Sequence, residues 1–154
     1  MADAQPAFIR DASESDLPRL IELLGYLSMH EQREDPSLFD SYRDAFHAIS
    51  ADTNQRLLVL ELDGRIIGSA VLIIMPNLSN RARPWAQVEN VVVDESMRSR
   101  GYGEQVMRYA IDAARDAGCY KLVLTSNKER ADAHRFYRRL GFKVSHEAFR
   151  FNLS

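Results

Sequence analysis

The chain has 154 residues, of which 45% are hydrophobic and 27% charged, a balance typical of an ordinary globular domain. A formal net charge of -2 and the lack of a basic run disfavour nonspecific binding to nucleic acid or an anionic membrane. Cys119 is the single cysteine, no stretch approaches the ~20 apolar residues of a membrane span, and the first residues lack a leader pattern. We therefore expect one cytoplasmic domain, residues 1–154.

The first third of the chain predicts a strand and two helices. Phe8-Ile9-Arg10 is a short strand candidate, and Ser13-x-x-Asp16 resembles a capping box before a helix that should end near His30. Apolar residues at helical spacing give this helix one core-facing stripe. A second helix should run from Pro36 to about residue 50. The acidic excess of residues 31–44 indicates either a solvated surface or a rim that favours a cationic amine.

The middle of the chain predicts a hairpin and a central strand. Two apolar runs, residues 57–62 and 65–74, flank Asp63-Gly64, a dipeptide that favours a tight primed turn. A polar loop should follow over residues 77–84. Trp85 to Val93 is then the fourth strand.

The last third predicts a helix, a strand, another helix and a closing strand pair. The helices should span residues 104–117 and 129–140, with the fifth strand at 121–125 between them and two further strands at 142–144 and 148–152. Strands joined through the first of these helices must be parallel, whereas the hairpins are antiparallel. The expected fold is α/β (α+β): a mixed, mostly antiparallel central sheet of six to seven strands with a parallel central pair, flanked by four helices on both faces.

The segment after the fourth strand has the features of a phosphate-binding turn. Val91-Val92-Val93 suits a strand buried on both faces, and the strand should stop at Asp94. The turn that follows contains two arginines and two glycines, which leave backbone N–H groups uncrowded at the positive end of the next helix. The chain lacks Gly-Lys-Ser/Thr and the third glycine of the dinucleotide fingerprint, which argues against those two nucleotide loops.

The arrangement Arg98-x-x-Gly101-x-Gly103 after this strand resembles the motif of the GNAT superfamily of N-acetyltransferases. The resemblance continues through residues 124–127 and through 133–142, and it is strongest over residues 88–142. It implies an acyl-CoA N-acyltransferase fold and acetyl-CoA as cosubstrate, with the pyrophosphate on the loop and pantetheine added along the strand like a further strand. It implies the following cofactor-binding residues: Val91, Val92, Val93, Arg98, Ser99, Arg100, Gly101, Tyr102, Gly103, Glu104 and Asn127. Asn127 could equally be a helix cap.

Glu89 interrupts the apolar fourth strand and is the candidate general base. By strict alternation its side chain shares a face with Gln87, Val91 and Val93. A charged carboxylate in an apolar strand is costly unless it is paired or has a function. Either an arginine pairs with Glu89, or Glu89 accepts the proton of an attacking amine through water. Members of the superfamily that acetylate aminoalkylphosphonates have a glutamate at the matching place.

Tyr137 is the candidate general acid on the last helix. It is either an amphipathic core tyrosine or, as in similar enzymes, a phenol beside the coenzyme sulfur. Phenols ordinarily have a pKa of ~10, so they hold a proton that a departing thiolate can take. Cys119 follows Gly118 at the start of a strand, where we expect it to be buried and therefore unsuitable as a nucleophile, which favours direct transfer in a ternary complex. The four histidines show no metal-ligand spacing, so we predict no metal site.

We expect the acceptor to be the primary amine of a small molecule, because the local similarity is to small-molecule acetyltransferases. Tyr26, His30, Arg81 and Trp85 are the candidate substrate residues; Arg81 and its neighbour Arg83 either hold an acidic group of the acceptor or are simply exposed. Acetylation of a protein N-terminus or lysine is the alternative reaction. A CoA-binding sensor without turnover is the alternative of another class. The resemblance also implies a homodimer.

Overall fold

The computed structural model describes residues 6–27 and 33–154, and the chain divides into two compact units, residues 1–123 and 124–154. The first unit contains the strands β1 (Phe8–Asp11), β2 (Gln55–Leu62), β3 (Arg65–Met75), β4 (Trp85–Val93) and β5 (Leu122–Val123). Its helices are α1 (Leu17–Leu24), α2 (Phe39–Ala51), α3 (Ser79–Ala82) and α4 (Tyr102–Asp116). The second unit contains α5 (Ala131–Arg139).

The sheet is mixed, as the sequence predicts. Its strands lie in the order β1 to β5, with antiparallel pairing up to β4 and a parallel β4–β5 pair. The β2–β3 hairpin is confirmed: Asp63 and Gly64 both have a positive φ, 50° and 76°, as a primed turn requires.

Helices cover both faces of the sheet. On one face, Leu20 and Leu23 of α1 and Phe46 of α2 pack with Val59 of β2 in one apolar cluster. Successive residues of a strand point to opposite faces, so Arg56 of β2 points the other way. Its Nη2 donates to the hydroxyl of Tyr109 on α4, at 2.9 Å. Helix α4 therefore lies on the face opposite α1 and α2.

The predicted number of strands and helices was wrong. The described residues form five strands and five helices, against six to seven strands and four helices expected. Residues 142–144 and 148–152 form no strand, because the local sequence of a segment cannot supply the neighbouring strand with which it must pair. The extra helix is α3, a single turn within the predicted polar loop, closed by the Asn77 amide, which donates to Ser79 O and Arg83 O.

Several predicted boundaries also shift. The first helix ends at Leu24 and continues as a 3-10 turn over Gly25–Leu27, well before the predicted end near His30, which lies outside the described residues. The fifth strand is only Leu122–Val123 instead of residues 121–125. Among the described residues, no helix has the length and apolar character needed to cross a membrane.

Candidate active site

A β-bulge divides β4 in the middle of the site. Glu89 lies opposite Val71 of β3 and Val92 lies opposite Ser69, so Asn90 and Val91 together oppose one residue. Asn90 has φ +52°, the left-handed conformation that such an extra residue often takes. The bulge corrects the expected side-chain pattern: Glu89 shares its face with Val92, whereas the sequence predicted that it would share it with Val91 and Val93.

Within the first unit, β4 has no strand partner on its β5 side after Gln87. Its pairing with β5 consists of Ala86 with Leu122 and Gln87 with Val123. From Val88 to Val93 no described residue of the first unit continues this ladder. Val92 is buried, but Val91 and Val93 are only partly buried, in contrast to the two-sided burial predicted from three successive valines. Strand groups without a ladder partner can bind an extended ligand as an added strand. One group of this segment, Val93 O, accepts a hydrogen bond from Arg98 Nε.

The Glu89 side chain lies in a polar pair on β4. It is partly buried and accepts a hydrogen bond from the Gln87 amide. Among the described residues, no arginine pairs with Glu89, so the ion pair considered as an alternative does not form there.

A tight loop leads from β4 into α4 and presents backbone N–H groups. After a 3-10 turn over Glu95–Met97, Ser99 and Gly101 adopt left-handed φ values of 61° and 88°. Gly101 caps α4, and its carbonyl accepts the first helical bond, from Gln105 N at 3.1 Å. The N–H groups of residues 102–104 therefore have no intrahelical partner and lie at the positive end of the helix dipole. This arrangement suits a diphosphate.

Side chains around the loop have distinct surroundings. The Arg98 guanidinium lies over the Tyr26 ring, 5.9 Å from its centroid, and Arg98 Nε donates to Val93 O at 3.3 Å. Arg100 is exposed. The Glu104 carboxylate pairs with Arg108 Nη2 at 2.8 Å, so a phosphate at the helix end would meet the Glu104 N–H and not an unpaired negative charge.

The candidate substrate residues lie at opposite ends of β4. Tyr26 contacts Arg98, beyond the end of the strand, whereas Trp85 is the first residue of the strand and lies under Lys121 Nζ, 5.0 Å from the ring centroid. Nine residues of strand separate the two ends by roughly 27 Å. Arg81 belongs to α3, where residues 80–82 all have left-handed φ values. His30 lies outside the described residues.

A cavity of about 310 Å³ lies beside α1. Its described lining is apolar apart from two carboxylates: Pro18, Ile21, Glu22, Gly25, Glu34, Pro36 and Phe39. Glu22 pairs with Arg19 at 3.3 Å, and Glu34 accepts a hydrogen bond from the Tyr42 hydroxyl at 2.6 Å. The acidic excess of residues 31–44 thus contributes Glu34 to this cavity.

The second unit contains two further candidate residues. Asn127 Oδ1 accepts from Glu129 N at 2.9 Å, so the side-chain oxygen is used in a turn before α5 and its amide nitrogen is the group left for a ligand. The Tyr137 ring packs between Phe136 and Phe142, with centroids 5.2 and 5.9 Å away. Ser126 was not predicted: its hydroxyl is buried and has no hydrogen-bond partner among the described residues.

Asp94 was also missed as a site residue, although the sequence places it at the end of the strand. Its side chain is 6% exposed. Hydrogen bonds from Ser96 and the Arg19 guanidinium lower the pKa of this carboxyl to about 2. Among the described residues, no group of three or more histidine, cysteine, aspartate or glutamate side chains is arranged to hold a metal ion.

A strand followed by a glycine-containing loop and the N-terminus of a helix is the arrangement that the sequence motif predicts. The sequence model of the Acetyltransferase (GNAT) family matches residues 21–142. The chain belongs to this family. It is an N-acetyltransferase, and acetyl-CoA is its cosubstrate. The predicted family, enzyme class and cosubstrate are confirmed.

Named relatives of this acetyltransferase act on small amines. It is 33% identical over 159 residues to the glucosamine 6-phosphate N-acetyltransferase of Trypanosoma brucei brucei, covering 99% of this chain and all of that one. It is 34% identical over 113 residues to the aminoalkylphosphonate N-acetyltransferase of Salmonella typhimurium (strain LT2), covering 73% of this chain and 71% of that one.

A similar solved structure is described as a transcriptional regulator from Bacillus halodurans C-125. The TM-score is 0.88 at 33% identity, and the alignment covers 96% of this chain and 100% of that one. The α+β GNAT fold of this acetyltransferase rests on the family match together with the mixed sheet and its parallel β4–β5 pair.

Proposed function

We propose that this enzyme transfers the acetyl group of acetyl-CoA directly to the primary amine of a small molecule that carries a phosphate or phosphonate group. The observation that carries the proposal is the identity of 33% with a glucosamine 6-phosphate N-acetyltransferase over nearly the whole of both chains. The second relative acts on aminoalkylphosphonates, which also combine an amine with a phosphorus-bearing anion. The family match spans residues 21–142 and supports one acetyltransferase domain over the whole chain.

The proposed path of the cofactor follows β4 and the loop after it. The diphosphate binds the N–H groups of residues 99–104, with Arg98 and Arg100 beside it. The pantetheine arm adds to the open edge from Val91 to Val93, and a backbone N–H there stabilises the oxygen of the thioester in the transition state. The amide nitrogen of Asn127 is the proposed donor to the same arm, the role that the family resemblance implies for this residue.

The proposed reaction is a single displacement at the thioester carbon. The neutral amine attacks that carbon, the carbon–sulfur bond breaks, and CoA leaves as a thiolate. Glu89 accepts the proton that the amine loses, through water, and Tyr137 donates a proton to the thiolate. Burial raises the pKa of the Cys119 thiol, which disfavours the thiolate needed for an acetyl-cysteine intermediate and supports direct transfer.

The test of the acceptor class is a thiol-release assay with paired substrates. Glucosamine 6-phosphate is compared with glucosamine, and 2-aminoethylphosphonate with ethylamine, alongside peptides with a free N-terminus or an internal lysine. We expect kcat/KM to be higher by about tenfold or more for the phosphorus-bearing member of at least one pair. Preference for either peptide would establish the alternative protein acetyltransferase and overturn the proposal.

We further propose that the enzyme is a cytoplasmic homodimer. Four apolar side chains of the second unit support self-association because they are largely exposed: Val144, Phe149, Phe151 and Leu153, at 80%, 92%, 87% and 94%. The last three alternate with Arg150 and Asn152, a pattern suited to a strand that pairs with a second copy. Mass measurement by light scattering after size-exclusion chromatography tests the dimer.

A further inference from the structure

Asp94 joins β4 to the phosphate loop, residues 98–104, and its backbone N–H, its carbonyl and both oxygens of its side chain form hydrogen bonds. Its backbone N–H donates to Ile67 O at 2.8 Å, and its carbonyl accepts from Met97 N at 2.9 Å. Its Oδ1 accepts from the backbone N–H and the hydroxyl of Ser96, at 2.9 and 2.7 Å, while Oδ2 accepts from Arg19 Nη2. The direction in which the chain leaves β4 is therefore set by this one side chain together with its peptide groups.

Arg19 connects that junction to two other elements. It lies on α1, 75 residues before Asp94 in sequence, and its side chain is 16% exposed. Its Nε donates to Ile66 O of β3 at 2.9 Å, and its other terminal nitrogen pairs with Glu22 at 3.3 Å. A guanidinium held in this way is a rigid fork that fixes the position of the carboxylate it binds.

Removing two charges from water costs free energy that can offset their mutual attraction, so a buried ion pair need not stabilise the fold. A positional role is a better account of the pair here. Only a 3-10 turn, Glu95–Met97, separates Asp94 from the first loop arginine, so a small rotation at Asp94 is carried directly into residues 98–104. Phosphate recognition by backbone N–H groups depends on their direction, and a misplacement of about 1 Å in such a site can cost on the order of a hundredfold.

We propose that Arg19 is a positioning residue for acetyl-CoA: through Asp94 it fixes the phosphate loop in the geometry that binds the diphosphate, without touching the cofactor itself. This inference rests on the proposed role of the loop in diphosphate binding. It predicts an effect confined to the part of the donor that the loop recognises.

Two thioester donors separate positioning from general stability. Acetyl-CoA contains the diphosphate, whereas acetyl-pantetheine contains the same thioester and arm but no diphosphate. For Arg19→Met we expect the KM for acetyl-CoA to rise by about tenfold or more, with kcat changed by less than about threefold. We expect kcat/KM for acetyl-pantetheine to stay within about twofold of wild type. Arg19→Lys keeps the positive charge but not the planar guanidinium, so its KM for acetyl-CoA should lie between that of wild type and that of Arg19→Met.

Arg10→Met is the matched control. Arg10 is also a partly buried arginine with two carboxylate partners, Asp16 at 2.7 Å and Glu61 at 2.8 Å, but it lies at β1 and does not contact Asp94. The Arg10→Met variant should keep the wild-type ratio of kcat/KM for acetyl-CoA to kcat/KM for acetyl-pantetheine. Calorimetric titration with CoA gives the same comparison without an acceptor. If Arg19→Met does not fold, Ser96→Ala is the substitute variant, because it removes one hydrogen bond to Asp94. It should lower the ratio of kcat/KM for acetyl-CoA to kcat/KM for acetyl-pantetheine.

The outcomes are distinct. A selective loss on acetyl-CoA for Arg19→Met, absent in Arg10→Met, supports the inference. An equal loss on both donors, or a selective loss in both variants, overturns it. A wild-type enzyme that uses the two donors equally well would overturn the proposed diphosphate site and this inference together, whereas a wild-type preference that Arg19→Met preserves would overturn the inference alone.

Discussion

Stability at acidic pH should depend on the Asp94 carboxylate. The pKa of this group is about 2 against an ordinary 3.8, and at about 1.4 kcal/mol per unit the difference corresponds to roughly 2 kcal/mol. Because the pKa is lower in the folded state, the stabilisation is complete above about pH 4 and is lost as the pH falls toward 2. Asp94→Asn removes it and leaves Arg19 without this partner, so we expect a loss of about 2–3 kcal/mol at pH 7.

Urea denaturation followed by circular dichroism, at intervals between pH 7 and pH 2, measures this effect. The free energy of unfolding of the Asn variant should fall less steeply than that of wild type between pH 4 and 2. Asp112→Asn is the control, because Asp112 pairs with Arg115 at 3.2 Å but its side chain is 72% exposed, and its loss should be within about 0.5 kcal/mol. Parallel pH profiles for wild type and Asp94→Asn would show that the reasoning is wrong.

Three further outcomes are expected. Glu89→Gln and Tyr137→Phe should each lower kcat by about tenfold or more in the thiol-release assay, a barrier increase above ~1.4 kcal/mol, and unchanged rates would remove their proposed roles. Gly101→Ala places a side chain at φ +88° and should cost roughly 1–2 kcal/mol, either in CoA binding measured by calorimetry or in the free energy of unfolding measured by denaturation. Wild-type values in both measurements would contradict this prediction. Replacing Phe149 and Phe151 with serine should shift a dimer toward monomer in light scattering, and an unchanged dimer would place the interface elsewhere.

Local sequence signals predicted the parts of the fold that depend on neighbouring residues. Asp63-Gly64 specifies its turn through its own backbone preferences, and Gly101 specifies the start of α4 in the same way. The family motif lies within such a local unit, strand, loop and helix, which is why the family and the cosubstrate could be predicted. The side-chain pattern of β4 was predicted correctly only up to the residue before the bulge.

The features that were missed depend on contacts between distant parts of the chain. The pairing of Arg19 with Asp94 joins residues 75 positions apart, and no periodicity indicates it. The closing strands at residues 142–144 and 148–152 were predicted from the local sequence, but a strand forms only where a partner strand offers hydrogen bonds. Residue type alone could not identify the residues that bind the acceptor. The sequence prediction grouped Tyr26 with Trp85, but the two lie at opposite ends of β4.

The bulge at Asn90 links the fold to the proposed chemistry. A bulge of this kind generally increases the local twist of its strand. Pairing with β5 ends at Gln87, three residues before Asn90, and the edge that carries the proposed pantetheine site begins there. The same extra residue places Glu89 on the face of Val92, so the proposed base lies beside the open segment. One insertion in the register thus sets the face on which the proposed base lies, next to the segment of β4 proposed to bind the cofactor arm.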